Sequence, residues 1–385
     1  MNNFPKSYSS GIDRLLANKG LIRYLRTLRI GLLTNTASLT NKGEPVFKAL
    51  PKALKSPSKK GLNLLFAPEH GFHANLEPGE KVDDHFGDIP IYSLYGNSKK
   101  PTPDQLSELD VLVIDLKDVG VRCYTYAVTA AISAEAALEE GKDVVICDRE
   151  NPLGTKTNGP PLDPLLRSFI SYFDVPFVHG KTLGALVKTS LEKHPNFKKL
   201  KIIPADQNIN QTILPWIAPS PSFISAASVQ LYPGLVLFEG TNLSEGRGTP
   251  LSFSAVGAPW LRAHETESVI NGWSTGIIAS ALTICPKMGQ YKDKTLPAVQ
   301  LKKIRNNCDS FVLGIKLLSW LKNSHREFKW LHNKDKTSHL RSDNYIGKSM
   351  TNYKIDCLIG NRSLREMLDK GISPEDILNS WKFGR

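Results

Sequence analysis

The stretch Asp110-Val-Leu-Val-Ile-Asp115 decides the fold. Four apolar residues between two aspartates read as a fully buried strand that ends on a carboxylate. Downstream, Thr125 to Glu140 is rich in alanine, spaced like a helix and closed by Gly141, glycine being common just past a helix end. Asp143-Val-Val-Ile-Cys-Asp148 then repeats the first pattern. Strand, helix and strand in succession make a parallel unit, so the spacing predicts a three-layer α/β domain. Upstream, Arg29-Ile-Gly-Leu-Leu-Thr-Asn35 and Leu64-Leu-Phe-Ala-Pro-Glu-His-Gly71 are further strands, with helical spacing from Pro45 to Leu54 between them. Pro90 to Tyr95 is a short strand, and Thr102-Pro103-Asp104 opens a helix with a capping threonine and a first-turn proline. A helix from Leu183 to Lys193 and a strand at Lys201 to Pro204 continue the alternation.

Four successive strands therefore end on polar groups: Asn35, Glu69, Asp115 with Asp118, and Asp148 with Arg149. In open parallel sheets, ligands collect at that edge. The polar segment from Gly71 to Asp88 is long for a loop, and loops of such length are usually functional. Near Trp216 and the stiff turn Pro219-Ser-Pro-Ser222 the pattern changes. The expected division is an α/β domain over 1–220 and an α+β domain over 221–385, with helices at Phe311 to Asn323, Leu364 to Lys370 and Pro374 to Trp381.

At 385 residues the chain exceeds one ordinary core, and 41% hydrophobic with 22% charged residues is usual for a globular protein. The net charge of +12 raises nucleic acid or an anionic polymer as partner. Lysines such as Lys52, Lys55, Lys198 and Lys302 are scattered, however, and form no nucleic-acid module, so a solvated basic surface is the simpler reading. Five cysteines without a Cys-x-x-Cys favour reduced thiols. With no apolar leader at Met1 and no run of membrane length, a cytoplasmic location is expected.

The glycines from Gly240 to Gly248 form no phosphate-binding loop, and no glycine run follows the first strand, so no nucleotide cofactor is expected. They let backbone approach a ligand, with Asn242, Ser244, Glu245 and Arg247 as contacts, or else make a structural turn. His70, His73 and His85 with Asp83, Asp84 and Glu69 match no zinc spacing, and no metal is expected. A serine nucleophile elbow is absent, leaving Ser220 and Ser222 as turn residues.

What remains is a set of carboxylates, Glu69, Asp115, Asp118, Asp148, Glu239 and Glu245, beside Arg122, Arg149 and Arg247. Glycoside hydrolysis uses a protonated acid and a second polar group supporting a cationic sugar. Glu69 follows an apolar strand and a proline, where desolvation would keep a carboxyl protonated. Arginines suit a substrate that carries its own carboxylate. Any one of these acids could instead cap a helix or sit in an ion pair.

The chain resembles the exo-β-N-acetylmuramidases of the NamZ type. The resemblance rests on motifs in family order: Pro68-Glu69-His70-Gly71, Pro78-Gly-Glu80-Lys-Val82, Asp115-x-x-Asp118-Val-Gly-x-Arg122-x-Tyr-Thr-Tyr126, Asp148-Arg149-x-Asn151-Pro-Leu-Gly154, His179-Gly-x-Thr182-x-Gly184 and Glu239-Gly-Thr-Asn242-x-Ser244-Glu-Gly-Arg-Gly-Thr249. It implies a Rossmann-like N-terminal domain, a smaller C-terminal domain and an active site in the cleft between them. It also implies release of N-acetylmuramic acid from the non-reducing end of peptidoglycan fragments. Glu69 takes the position of the leading catalytic candidate, with Asp115 or Asp118 as second carboxylate. Asn35, His70, Arg122, Tyr126, Asp148, Arg149, Asn151, His179, Glu239, Asn242, Ser244, Glu245 and Arg247 are the expected substrate contacts. The implied partner is a muropeptide or disaccharide, with no nucleic acid and no membrane segment. Lys117 stands where the family usually has glutamine. A non-catalytic or altered-specificity sugar-binding protein of the same fold is the alternative reading.

Overall fold

The apolar runs of the first half become parallel strands because both of their faces are covered. In the computed structural model the described residues are 9–55, 61–72, 85–96, 98–206, 217–273, 275–305, 308–334 and 351–382. His73, Asp83, Asp84, Trp216 and the Pro78 to Val82 motif lie outside them.

The chain divides into two compact units, the first comprising Met1–Gly120, Tyr124–Gly154 and Lys181–Pro221. Its strands are β1 (Arg29–Leu33), β2 (Gly61–Ala67), β3 (His85–Phe86), β4 (Ile89–Ser93), β5 (Val111–Ile114), β6 (Asp143–Cys147) and β7 (Leu200–Ile203). They form one sheet in the order β3-β4-β2-β1-β5-β6-β7, parallel except for the edge pair β3–β4. Helices α1 (Gly11–Ala17), α2 (Lys19–Leu25) and α3 (Val46–Leu54) share a core with Ile30, Leu32, Leu65, Ala67, Val111, Val113, Val145 and Cys147. The alternate residues Leu64, Phe66, Leu112, Ile114, Val144 and Ile146 are equally buried. They belong to the opposite face, because successive strand side chains alternate. There α5 (Thr125–Glu139) packs against β5, β6 and α6 (Leu183–Leu191), which in turn meets β7. A short helix α4 (Pro103–Ser107) leads into β5, and the hydroxyl of Thr102 caps it by accepting from the Gln105 amide. This is the expected three-layer α/β arrangement, with helices sealing both faces of a parallel sheet.

One local expectation changes. The segment Gly71 to Asp88 is not loop throughout, because His85 and Phe86 pair antiparallel with Pro90 and Ile89. Gly87, with φ +59°, turns the chain between the paired strands. Pairing there covers the hydrogen-bonding groups that β4 would otherwise leave open at the sheet edge.

The second unit comprises Val121–Cys123, Thr155–Gly180 and Ser222–Arg385. It includes two stretches that the expected division at 220 assigned to the first domain. Backbone pairing draws both in: Val121–Cys123 joins the second stretch, with Val121 bridging Val178 and the Arg122 amide donating to the Phe177 carbonyl at 2.8 Å, and that stretch joins the rest of the unit, with the Asp163 amide donating to the Gly360 carbonyl at 2.8 Å. The unit's sheet is antiparallel and smaller, with β8 (Ala255–Gly257), β9 (Ile277–Ile284) and β10 (Leu296–Lys303) in the order β8-β10-β9. Its helices are α7 (Ala226–Leu235), α8 (Ala263–Gly272), α9 (Ser310–Ser324), α10 (Lys354–Ile359), α11 (Ser363–Asp369) and α12 (Pro374–Ser380). Pro233-Gly234 lies inside α7. Gly234 is required there, since a Cβ would fall 1.9 Å from the Ser310 carbonyl, and the two helices meet at Gly234 and Gly314. Among the described residues no helix is long and apolar enough to cross a membrane.

Candidate active site

Strand order fixes where a ligand can bind in the first unit. From β1 the chain moves outward through β2 to β4, then returns to place β5 on the other side of β1 and continues through β6 to β7. The order therefore reverses between β1 and β5, and such switch points open a crevice at the carboxyl ends of the strands. Asn35 follows β1, Glu69 and His70 follow β2, Asp115 and Asp118 follow β5, and Asp148 and Arg149 follow β6. These polar groups lie along the carboxyl rim, as the strand ends foretold.

Glu69 sits in a turn closed by a Gly71 amide to Pro68 carbonyl bond of 3.1 Å. His70 (φ +69°) and Gly71 (φ +75°) both adopt left-handed backbone in that turn. For His70, which has a Cβ, this conformation carries strain of the kind found at functional turns. Oε2 of Glu69 accepts from the Thr125 hydroxyl at 2.7 Å, at the first residue of α5. The Glu69 carbonyl lies 3.1 Å from the Tyr126 hydroxyl, which also donates to the Pro219 carbonyl at 2.7 Å. Asn35 donates to that same hydroxyl at 3.2 Å. Asn35 and Tyr126 are fully buried, and burial pushes the Tyr126 hydroxyl up from its usual pKa. Both thus act as supports behind the Glu69 turn. Glu69 itself is only partly buried, more open than an acid after an apolar strand and a proline was expected to be.

Asp115 is fully buried, and Arg149 reaches its Oδ1 through Nε and Nη2, each at 2.8 Å. Arg149 also donates to the Leu39 carbonyl at 2.8 Å. Burial pushes the Asp115 carboxyl up, against the opposing pull of Arg149. Lys117, two residues further on, is the third charge of this corner. Burial and the Arg149 guanidinium lower its amine from the usual 10.5 to about 8, with Asp115 acting in the opposite direction. Its Nζ lies 3.5 Å from the Ile217 carbonyl.

Other rim residues also bond to the backbone. Asp118 Oδ2 accepts from the Gly120 amide at 2.9 Å. Asp148 accepts from the Gly184 amide at 2.9 Å and from the Thr182 hydroxyl at 2.5 Å, which anchors the start of α6. Gly184 is needed for this, because a Cβ would stand 2.7 Å from the Asp148 carboxyl. Asn151 bridges the Lys181 carbonyl and the Leu153 amide.

In the second unit, Arg247 collects an ion cluster. It donates to Glu239 Oε1 from Nε (3.0 Å) and Nη2 (2.5 Å), faces Glu245 Oε1 at 3.2 Å and donates to the Ser222 hydroxyl at 2.5 Å. Its guanidinium also lies 4.6 Å from the Phe253 ring centroid. Burial, with Glu239 beside it, raises the Glu245 carboxyl from 4.5 to about 7. The adjoining cavity, lined by Glu239, Ser244, Glu245, Arg247 and Tyr291 among others, measures about 30 Å³. That is room for about one water, not for a sugar ring. Ser244 pairs with Gly257 in a short antiparallel bridge. Asn242 is clasped by the Glu327 carbonyl and the Lys329 amide, both at 2.8 Å. The glycines here are approached by their own chain: a Cβ on Gly246 would meet the Leu251 carbonyl at 2.5 Å. Arg122, also in this unit, is fully buried and donates to the carbonyls of Pro160, Val175 and Ile359. That ties three segments together. His179 is buried in the same unit.

Two residues that matter at the rim were not among the expected contacts, namely Thr125 and Lys117. Thr125 had a readable signal, a hydroxyl in Tyr124-Thr-Tyr126 at the opening of a helix. Ser222 lies in a turn, as expected, and its hydroxyl also accepts from Arg247.

A parallel sheet with an accessible carboxylate beside its switch point, supported by buried polar residues, is the arrangement of an enzyme working on a polar substrate by acid–base chemistry. Comparison with known proteins narrows that class. The family model described as exo-beta-N-acetylmuramidase NamZ, N-terminal, matches residues 30–227, and the corresponding C-terminal model matches residues 230–385. The chain belongs to this family. It is 32% identical to the peptidoglycan beta-N-acetylmuramidase NamZ of Bacillus subtilis (strain 168), across 97% of this chain and 87% of that relative. Two crystal structures of DUF1343 family proteins from Bacteroides fragilis NCTC 9343 are similar in fold. Their TM-scores are 0.78 and 0.69, each at 25% identity and covering 97% of this chain and 94% of theirs.

Proposed function

We propose that this chain is an exo-acting glycoside hydrolase that releases N-acetylmuramic acid from the non-reducing end of peptidoglycan fragments. The observation that carries the reading is the 32% identity, over nearly the whole chain, to a relative named for this activity. The rim chemistry supports it. Glu69 is the general acid, open enough to meet a substrate and oriented by the Thr125 hydroxyl. Its proton goes to the glycosidic oxygen as the bond to the anomeric carbon breaks, and water completes the sugar. Asp118 is the second functional carboxylate. Asp115 is a positioning residue, since its side chain is closed into the pair with Arg149. Asn35 and Tyr126 hold the Glu69 turn from behind. Arg247, committed to Glu239, Glu245 and Ser222, shapes its own loop. The five free thiols, three of them buried, support a reducing compartment and thus the cytoplasm.

Product analysis tests the reading. Muropeptides with a terminal N-acetylmuramic acid are incubated with the protein and followed by mass spectrometry. Free N-acetylmuramic acid should appear while chains ending in N-acetylglucosamine stay intact. Internal cleavage, or no release at all, would overturn it.

A further inference from the structure

Three helices of the second unit frame a surface groove of about 400 Å³. Trp273 closes α8, its amide donating to the Ile270 carbonyl at 3.1 Å. Trp320, Lys316, Ser319 and Asn323 come from α9, and Glu375 from the first turn of α12. Both tryptophans are half-buried and line the groove. Trp320 is held in place: its ring meets the His325 ring edge-on with centroids 5.2 Å apart, and His325 in turn bonds the Ser324 hydroxyl at 2.9 Å.

The lining limits what the groove suits. Lys316 and Glu375, its two charged members among the described residues, pair with each other at 2.8 Å and so offset one another. A lining without net charge exerts little pull on a phosphate polymer or a basic peptide. Two indoles flanked by the amide of Asn323 and the hydroxyl of Ser319 fit a ligand with an apolar face and a polar edge. A pyranose has that form, with C–H bonds on its faces and hydroxyls around its rim, and the negative face of an aromatic ring attracts such C–H groups. The volume falls in the usual range of ligand sites. Glu375 also lines a neighbouring hollow of about 880 Å³, with Asn158, Asn379 and Trp381, which leaves room for more than one ring.

We infer that this groove is a saccharide-binding surface, additional to the proposed catalytic rim, that holds an amino-sugar strand by stacking its rings on Trp273 and Trp320. None of its lining residues belongs to the rim. The saccharide class follows from the lining, while the choice of N-acetylated amino sugars rests on the muramidase reading.

The test is calorimetric titration of the whole chain with chitotetraose, a β-1,4 tetramer of N-acetylglucosamine with no N-acetylmuramic acid to release. Wild type should bind it with little change from low to high salt, as uncharged contacts do. Excess N-acetylmuramic acid, a ligand of the rim, should not displace it. Trp273→Ala should weaken binding by roughly tenfold or more, Trp273→Phe by less, and Asn323→Ala, at an exposed position, by several-fold, with thermal melts checking that each variant is folded. Absence of binding by wild type, or displacement by N-acetylmuramic acid, would overturn the inference and needs no variant. Unchanged affinity in a folded Trp273→Ala would overturn it as well. So would a dimer in sedimentation that Trp273→Ala dissolves while the tetramer stays unbound, since the groove would then seat a second copy. The titration involves no turnover. Release of N-acetylmuramic acid from muropeptides without binding of chitotetraose would reject the groove and keep the muramidase reading, and the reverse pair of results would keep the groove and reject that reading.

Discussion

The hydroxyl of Thr125 lies 2.7 Å from Oε2 of Glu69, joining the first residue of α5 to the turn that ends β2. The next residue, Tyr126, reaches the Glu69 backbone carbonyl at 3.1 Å. One helix start therefore positions both the side chain and the main chain of the proposed acid. Thr125→Val keeps the shape and removes the hydrogen bond. We expect kcat on a β-N-acetylmuramide to fall about tenfold, the effect of about 1.4 kcal/mol on a barrier, with KM little changed. Thr125→Ser should restore most of the loss. A fall in KM-linked binding alone would assign Thr125 to the substrate instead.

The Asp115–Arg149 pair is expected to matter for folding. Asp115→Asn takes the paired carboxylate from the buried Arg149 guanidinium and should cost about 3 to 5 kcal/mol in urea unfolding. Arg149→Gln should be comparably costly. Because the two residues share one interaction, the double variant should lose clearly less than the sum of the singles. Strict additivity would show that the pair is not coupled in solution.

Rim positions were legible in the sequence because an apolar run followed by a polar residue marks a strand end without reference to the rest of the fold. Asn35, Glu69, Asp115 and Asp148 all stand where that pattern puts them. Their individual duties were not legible. Asp148 is occupied by Thr182 and Gly184, Arg122 by Val175 and Ile359, and Asn242 by Glu327 and Lys329. Most of these partners are far away in sequence, and no local spacing announces them. Val121–Cys123 joins the second unit through pairing with Val178 and Phe177, and Thr155–Gly180 through the Asp163 amide to Gly360 carbonyl bond, which a glycine- and proline-rich composition does not reveal. Pro233-Gly234 reads as a breaker, yet α7 continues through it because close packing on α9 demands glycine.

Glu245 should give the protein a pH-dependent stability. Its folded-state value, raised from 4.5 to about 7 by burial and Glu239, means that the folded chain holds more protons than the unfolded chain between these limits. Stability should therefore fall as pH rises from about 4.5 to about 7 and level off above, by on the order of 2 to 3 kcal/mol. Glu245→Gln should flatten that slope in thermal melts. A slope identical to wild type would remove Glu245 as its source.

Lys117 has the opposite sign. With its amine lowered from 10.5 to about 8, the folded state holds fewer protons in that interval. The penalty is complete below about pH 8 and fades towards 10.5. Lys117→Met should accordingly stabilise the protein at pH 7 by roughly 1 to 3 kcal/mol, with the advantage shrinking at higher pH. A destabilised variant would indicate that the bond to the Ile217 carbonyl outweighs the burial cost.

The central claim, that Glu69 delivers the proton to the glycosidic oxygen, is tested most directly by hydrolysis of a chromogenic β-N-acetylmuramide by wild type and Glu69→Gln at equal folded concentration. Loss of an essential acid should lower kcat by roughly a hundredfold to ten-thousandfold, with the variant still binding N-acetylmuramic acid. Wild-type turnover by a folded Glu69→Gln would contradict it.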